Sequence, residues 1–281
     1  MSDEDLLARF QEYLVGTGMA PATIANYLVD IRNFSSWFRR LGLVSASLLD
    51  VNADRVRRYC QALRLQGRSV CTINRRLQAG YKFYDFVGQV GLSSHNPARD
   101  VERLKERSAA SPRILTADEV CKLLCAVGDG SDSLTRRERA VLLLLLETGI
   151  KAGEPVDLWL DDLVLHVGSG YVLVGQDLSS MGRCLTIGPE VCAPLRACLR
   201  ARASAPGVDH LFVSRQGRPL SMRSVQRLVS NYAQIAGLDG VSAHTLRCTF
   251  GHDVLQETQD LSEVAQMLDL RDVTSVRRYL G

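Results

Sequence analysis

Apolar residues recur at helical spacing along most of the chain. Leu6, Leu7, Phe10, Tyr13 and Leu14 fall on one stripe. They predict a first helix capped by Ser2 or Asp3 and stopped at Gly16. After a loop at Thr17-Gly-Met-Ala-Pro21, a second helix is expected from about Ala22 to Leu41, closed by Gly42. Its inward residues are Ile24, Tyr27, Leu28, Ile31, Phe34, Trp37 and Phe38. Residues 43–50 read as a connector. A third helix is expected over Ala53 to Gln66, ending at Gly67, and a fourth over Ser69 to Val87. In the fourth, Ile73, Leu77, Tyr81 and Tyr84 lie on one side, with Arg75, Arg76 and Lys82 near the other. Four amphipathic helices with short turns imply a small bundle.

The pattern breaks at Asn96-Pro97. Residues 99–112 mix charges, lack a run of large apolar side chains and end in Ser-Ala-Ala-Ser-Pro, which reads as a linker. The expected organisation is a helical domain over 1–98, a linker over 99–112 and a second domain over 113–281. Thr116 and Glu119 have the spacing of a capping box, so a helix starts there. Gly128 to Ser133 reads as a loop, and Arg136 to Thr148 as a strongly apolar helix stopped by Gly149. Three short β-like runs follow, Leu163 to Leu165, Tyr171 to Val174 and Cys184 to Ile187, separated by glycines. They predict a small antiparallel sheet. Helical spacing resumes over Pro189 to Ala203, Ser221 to Ala236, Ala243 to Gln256 and Leu261 to Leu268. The fold class expected is mainly α, with a four-helix N-terminal domain and a helical C-terminal domain carrying one small sheet.

Composition changes this picture little. A chain of 281 residues with 46% hydrophobic content has enough material for two cores. The net charge of +3 barely points to nucleic acid, but its distribution says more. Arg55, Arg57, Arg58, Arg64, Arg68, Arg75, Arg76 and Lys82 make one basic stripe. Arg196, Arg200, Arg202, Arg215, Arg218, Arg223 and Arg227 make another. Two stripes in separate regions suit a polyanion held from two sides; solvated helix faces are the plainer alternative. The only lysines are Lys82, Lys105, Lys122 and Lys151.

No Cys-x-x-Cys pair occurs among the eight cysteines, which argues against a zinc site. Cys121 and Cys125, one turn apart beside Leu123 and Leu124, read as core, and buried free thiols in a reducing cytosol are expected. The acidic start Met-Ser-Asp-Glu-Asp is unlike a signal peptide. The apolar run from Ala140 to Leu146 is too short to span a bilayer. A soluble cytoplasmic protein is expected.

The candidate chemistry lies near the end. His244 and Arg247 are three apart on a predicted helix and share a face. Together they can grip a phosphate, and Tyr279, from a separate segment, can attack it. No Gly-rich nucleotide loop accompanies them, so a nucleic-acid backbone fits better than a small nucleotide. A surface arginine, a hydrogen-bonded histidine and a packed tyrosine are the structural alternative.

Several stretches together resemble the tyrosine recombinase (phage integrase) family, with Xer-type members nearest. They are Pro21-Ala-Thr-Ile-Ala-Asn-Tyr27, Ser69-Val-Cys-Thr-Ile-Asn-Arg-Arg-Leu77, Asn96-Pro-Ala98, Leu115-Thr-Ala-Asp-Glu-Val120, Leu145 to Glu154, Leu211 to Leu220, His244-Thr-Leu-Arg-Cys-Thr-Phe250 and Tyr279. The resemblance implies a SAM-like core-binding domain followed by a recombinase catalytic domain. It implies strand exchange on double-stranded DNA through a 3′-phosphotyrosine, without metal or other cofactor. It implies further recombinase protomers on the DNA, or a second, active recombinase, as partners, and a nucleoid-associated place in the cytoplasm.

Carried over by position, Tyr279 is the nucleophile and His244 and Arg247 form the His-x-x-Arg pair. Lys151 stands where the family has its first arginine, keeping the charge and losing the planar fork. Met181 stands at the place of the hairpin lysine that protonates the leaving oxygen. Leu270 stands where a histidine or tryptophan is usual, and Cys248 replaces a further, structural histidine. The expectation is reduced or partner-dependent cleavage, with a non-catalytic DNA-binding paralogue as the alternative. The chain runs two residues past Tyr279, where Xer-type relatives continue into a helix that docks on a neighbour, so cyclic coupling between protomers is expected to differ. DNA phosphate contacts are expected from Arg75, Arg76, Arg183 and Arg223.

Overall fold

A computed structural model describes residues 2–41, 47–105, 112–177, 180–202, 207–270 and 272–279, with backbone only at 176, 177, 180, 181 and 278. Parts of the expected connector, linker and hairpin tip, and the two residues after Tyr279, lie outside them. The chain divides into two compact units, Met1–Ala109 and Ala110–Gly281.

In the first unit, helices α1 (Asp3–Gly16), α2 (Pro21–Arg39), α3 (Ala53–Leu65) and α4 (Val70–Gln89) form the expected bundle. Ser2 caps α1 in a reciprocal box with Asp5, and Asn52 and Ser69 cap α3 and α4. A short 3₁₀ turn at Leu48–Asp50 joins α2 to α3. Aromatic side chains fill the centre: Phe10 meets Phe83 edge-on at 5.3 Å, and Phe34 meets Tyr59 at 5.0 Å. Two carboxylates are buried among them. Asp3 accepts hydrogen bonds from Ser35 Oγ (3.1 Å), Arg39 (3.0 Å) and the Leu48 amide (3.0 Å), tying α1 to α2 and the 3₁₀ turn. Asp30, on α2, is gripped by both terminal nitrogens of Arg75 on α4, one at 3.0 Å, and lies 3.6 Å from Arg76 Nε.

The second unit is built around α6 (Ser133–Thr148), in which Ala140 to Leu145 are all buried. A helix apolar on every side belongs in the interior, and α6 packs against α8 (Pro189–Ala201) and α10 (Ala243–Thr258). It starts three residues earlier than the apolar pattern shows, because Asp132 caps a polar first turn at the amides of Leu134 and Thr135. Helix α5 (Ala117–Val127) starts at the expected box: the Glu119 amide donates to Thr116 Oγ1 and the Thr116 amide to Glu119.

Helix α7 (Glu154–Asp157) is a single turn between Lys151 and the sheet. Strands β1 (Leu163–His166), β2 (Ser169–Asp177) and β3 (Ser180–Ile187) make an antiparallel meander in the order β1-β2-β3. Val172 pairs with Leu185 and Val174 with Arg183 in its register. The strands run longer than the β-like stretches of the sequence because the outer part of the β2–β3 hairpin carries polar residues. Helices α9 (Met222–Ile235) and α11 (Leu261–Met267), then a 3₁₀ turn at Val273–Arg278, complete the unit.

One expectation about the core fails. Cys121 and Cys125 are exposed, as are Cys71 and Cys184, while Cys192, Cys198 and Cys248 are buried. On α5 the buried residues are Leu123 and Val127. Positions 121 and 125 share a turn but lie on the opposite side of the helix from Leu123.

Candidate active site

The site is assembled from three chain segments: the first turn of α10, the turn after α6, and the stretch from the end of α11 to Tyr279. Ser242 caps α10 and orients its first turn. The stretch just before α5 is tied to the same helix, with the Leu115 amide donating to Thr249 Oγ1 at 2.9 Å.

Arg247 is 3% exposed. Its Nη1 donates to the Gly149 carbonyl at 2.6 Å, and Nη2 donates to the Leu268 carbonyl. Gly149 caps the C-terminus of α6 and Leu268 that of α11. The buried guanidinium is therefore held by the negative ends of two helices, with no carboxylate among the described residues hydrogen-bonded to it. Gly149 sits at φ +59, and a Cβ there would come within 2.3 Å of the Phe250 ring and 2.9 Å of Leu268. Only glycine allows this turn to bring its carbonyl to Arg247.

Tyr279 stands next to both residues of the His-x-x-Arg pair. Its ring meets His244 edge to face, with centroids 5.3 Å apart and planes at 64°. The Arg247 guanidinium carbon lies 5.4 Å from the same ring centre, within cation–π range. The 3₁₀ turn positions the tyrosine: Asp272 caps it by accepting from the Ser275 amide at 2.8 Å, and the Tyr279 amide donates to the Val276 carbonyl at 2.8 Å. The half-buried ring packs on a small apolar cluster that includes Val254, Val264, Leu268 and Val276. Burial, helped by the Arg247 charge, holds the His244 imidazole below its ordinary pKa of 6.5. Cys248 Sγ lies 3.6 Å from His244 Nε2. Burial pushes that thiol up to about 11, so it stays protonated.

A second cluster shares the same turns. Lys151 Nζ donates to Asp269 Oδ2 at 2.6 Å and lies 3.7 Å from Glu154 Oε1. Arg183, on β3, forks onto Glu154 at 3.1 and 2.8 Å, and its Nη1 lies 3.4 Å from Asp269 Oδ2. The Glu154 carboxylate also accepts from the Lys151 amide at 2.6 Å. Asp269 has φ +50, a left-handed conformation uncommon outside glycine. The Lys151 hydrogen bond, with Lys151, Arg183 and Arg247 charges behind it, keeps its carboxyl below the usual carboxylate range.

The residues singled out in the sequence thus fall in different places. Tyr279, His244 and Arg247 come together, and Lys151 and Arg183 join one ion cluster connected to them through residues 149–154 and 268–269. Met181 lies in β3 opposite Gln176. Leu270 packs into the apolar cluster beneath Tyr279, and its backbone amide donates to the Ala265 carbonyl at 2.8 Å. Arg75 and Arg76 belong to the Asp30 cluster, with the Arg76 side chain 16% exposed and its Nη1 on Tyr59 Oη at 3.0 Å. Arg223, on α9, is exposed. Sequence reasoning gave no role to Glu154, Asp269 or Asp30. Glu154 was visible as an acid three residues after Lys151, and Asp269 as an acid beside the Leu270 position. Asp30 was visible as an acid between Leu28 and Ile31 on an apolar stripe.

The phage integrase family model matches residues 113–281, and the family's N-terminal SAM-like domain model matches residues 7–89. The chain belongs to the phage integrase family. Among curated relatives, it is 35% identical over 259 residues to the tyrosine recombinase XerC of Azotobacter vinelandii, covering 92% of this chain and 84% of that protein. It is 29% identical over 277 residues to XerC of Chromobacterium violaceum, covering 98% of this chain and 89% of the relative. Among solved structures, the XerH site-specific recombinase bound to difH substrate superposes with a TM-score of 0.76 at 19% identity, covering 100% of this chain and 81% of that one. The last likeness is one of fold. As a phage integrase, the chain has the expected fold class: a SAM-like helical domain, then a catalytic-type domain with a three-stranded antiparallel sheet. Among the described residues, no helix is long and apolar enough to cross a membrane.

Proposed function

We propose that this phage integrase acts in site-specific DNA recombination, with Tyr279 as the nucleophile. The observation that supports this most directly is the meeting of the Tyr279 ring with His244 and Arg247, residues distant in sequence. In the proposed reaction the Tyr279 oxygen attacks a backbone phosphorus. The bond from phosphorus to the 5′ oxygen breaks, and a 3′-phosphotyrosine forms. His244, neutral at pH 7, has a lone pair for the phenolic proton. Arg247 and Lys151 place positive charge on the non-bridging oxygens. The departing 5′ oxygen takes its proton from solvent, since Met181 has none to give. The resulting hydroxyl later loses a proton as it attacks the phosphotyrosine of a partner strand, and Tyr279 regains one, so the bond energy is kept and no cofactor is consumed.

The partners in this reading are double-stranded DNA and further protomers bound to it. The relatives support it: they are named tyrosine recombinases, and the XerH structure is of a protein bound to its DNA substrate. Recombination on chromosomal or plasmid DNA places the protein in the cytoplasm, with the nucleoid. Of the arginines expected on phosphates, Arg223 is free to make the contact. Arg183 and Arg75 would have to share their charge with Glu154 and Asp30, and Arg76 contributes mainly to folding. The domain boundaries proposed are 1–98 and 113–281, joined by a linker.

Cleavage is proposed to be slow or partner-dependent. Losing an arginine that neutralises a phosphoryl transition state costs about 10³–10⁵ in rate, and a lysine in its place costs less. Leu270 offers no donor where an aromatic hydrogen-bond donor is usual. A second reading, a DNA-binding paralogue without strand cleavage, is favoured by one observation: Lys151 is already paired with Asp269. The test is a duplex carrying the protein's own site, selected from its source DNA, with a nick beside the cleavage position so that the cut fragment diffuses away. A covalent protein–DNA band that vanishes in Tyr279→Phe supports recombination. Tight binding with no band supports the second reading.

A further inference from the structure

The carboxylates of the second cluster are held in different ways. Glu154 is committed: its side chain is 15% exposed, it takes both ends of the Arg183 fork, and it accepts from the Lys151 amide. Those bonds close the turn after α6 and fix β3 to it. Asp269 is not committed in this way. Its side chain is 55% exposed, and one oxygen, Oδ2, serves both Lys151 and Arg183. Lys151, at 50% exposure, faces solvent from the same cluster. Two cations and two carboxylates cancel there.

We propose that Asp269 is an internal stand-in for the phosphodiester, which a DNA phosphate must displace from Lys151 before the site can hold it. This rests on reading Lys151 as a phosphate-binding cation. A carboxylate and a phosphodiester each present one negative charge over two oxygens, so both suit an ammonium at hydrogen-bond distance. The exchange is feasible because the ion pair is exposed and on that account weakly held. Asp269 lies just after α11, in a left-handed conformation of its own, and its half-exposed side chain is not packed into the core. Asp269 therefore sets how readily this site takes a phosphate, and its place in the sequence accounts for a lysine that is present and yet occupied.

Asparagine is the clean replacement, since it keeps the shape, tolerates the left-handed conformation and removes the charge. Glycine, which fits the same backbone, is the second variant in case asparagine impairs folding. The probe is inorganic phosphate, titrated at constant ionic strength and followed by the thermal midpoint of the full chain. Asp239→Asn, an exposed acid elsewhere in the same unit, controls for net charge. Asp269→Asn and Asp269→Gly are expected to bind phosphate tighter than the parent by roughly threefold or more, while Asp239→Asn matches the parent. The gain should disappear when Lys151→Met is added, as in a double-mutant cycle. Unchanged or weaker phosphate binding in both Asp269 variants overturns the proposal, and so does a gain that persists without Lys151. A phosphate gain in a protein that binds no duplex would leave the stand-in standing and remove the recombination reading instead.

Discussion

Replacing Gly149 by alanine tests how the site is held together. The residue has φ +59, and the new Cβ would lie 2.3 Å from Phe250 Cδ1, 2.9 Å from Phe250 Cγ and 2.9 Å from Leu268 Cδ2. The left-handed conformation costs about 1–2 kcal/mol for a residue with a Cβ. The overlap with a ring that cannot fold away adds about 1–3 kcal/mol. The second unit should therefore lose about 2–5 kcal/mol. Urea unfolding measures it through Trp159, the tryptophan of this unit, which is 49% exposed and lies tilted against His210 with ring centres 4.4 Å apart. A Trp37→Phe background silences the tryptophan of the first unit. With a slope of about 2 kcal/mol/M, the midpoint should fall by about 1–2.5 M. Gly168→Ala separates the two costs, because that glycine has φ +76 with nothing within 4 Å of its added Cβ. It should lose about 1–2 kcal/mol from conformation alone. If Gly149→Ala unfolds with the midpoint of the parent, or of Gly168→Ala, the close approach of Gly149 to α10 and the end of α11 is refuted.

Other expectations follow from single contacts. Asp30→Ala should destabilise the first unit by about 1–3 kcal/mol, read through Trp37 fluorescence, because it leaves the largely buried Arg76 without its carboxylate while the half-exposed Arg75 turns to water. The His244 imidazole should titrate below 6.5 in an NMR pH series, since burial and then Arg247 disfavour its charged form. Its neutral state in the fold then adds stability that is complete above 6.5 and lost as pH falls through the lower folded value, where the unfolded chain binds the proton first. A His244→Gln variant should lose that acid-side slope in thermal melting. Brief alkylation should label Cys71, Cys121, Cys125 and Cys184 and spare Cys192, Cys198 and Cys248 until the chain unfolds; equal labelling in the native state would contradict the placement of α5 and α10.

Much of the fold was legible because its helices carry local signals. Thr116 and Glu119 name the start of α5, and the apolar run of α6 marks the helix at the centre. Where a signal depended on tertiary partners, the sequence said less. Cys121 looks apolar, but whether its side of α5 meets a neighbour is decided elsewhere in the fold. The start of α6 was hidden because Ser133, Thr135 and Arg136 are polar and Leu134 alone sets no period, so a cap rather than periodicity marks it. The 3₁₀ turn that delivers Tyr279 has no period long enough to read. In the site, the triad was legible because the residue types are chemical and the family order is specific. The acids were not, because an aspartate acquires meaning only from the cation it meets: Asp30 meets Arg75 across the bundle, and Asp269 meets Lys151 across the whole second unit.

The account depends most on Tyr279 being the residue that receives the phosphate. Protein trapped on a nicked substrate, digested with protease and nuclease, can be sequenced by mass spectrometry. A nucleotide on Tyr279, in the peptide that contains it, is the predicted result. A nucleotide on Tyr232, on a serine or on any other side chain would contradict it.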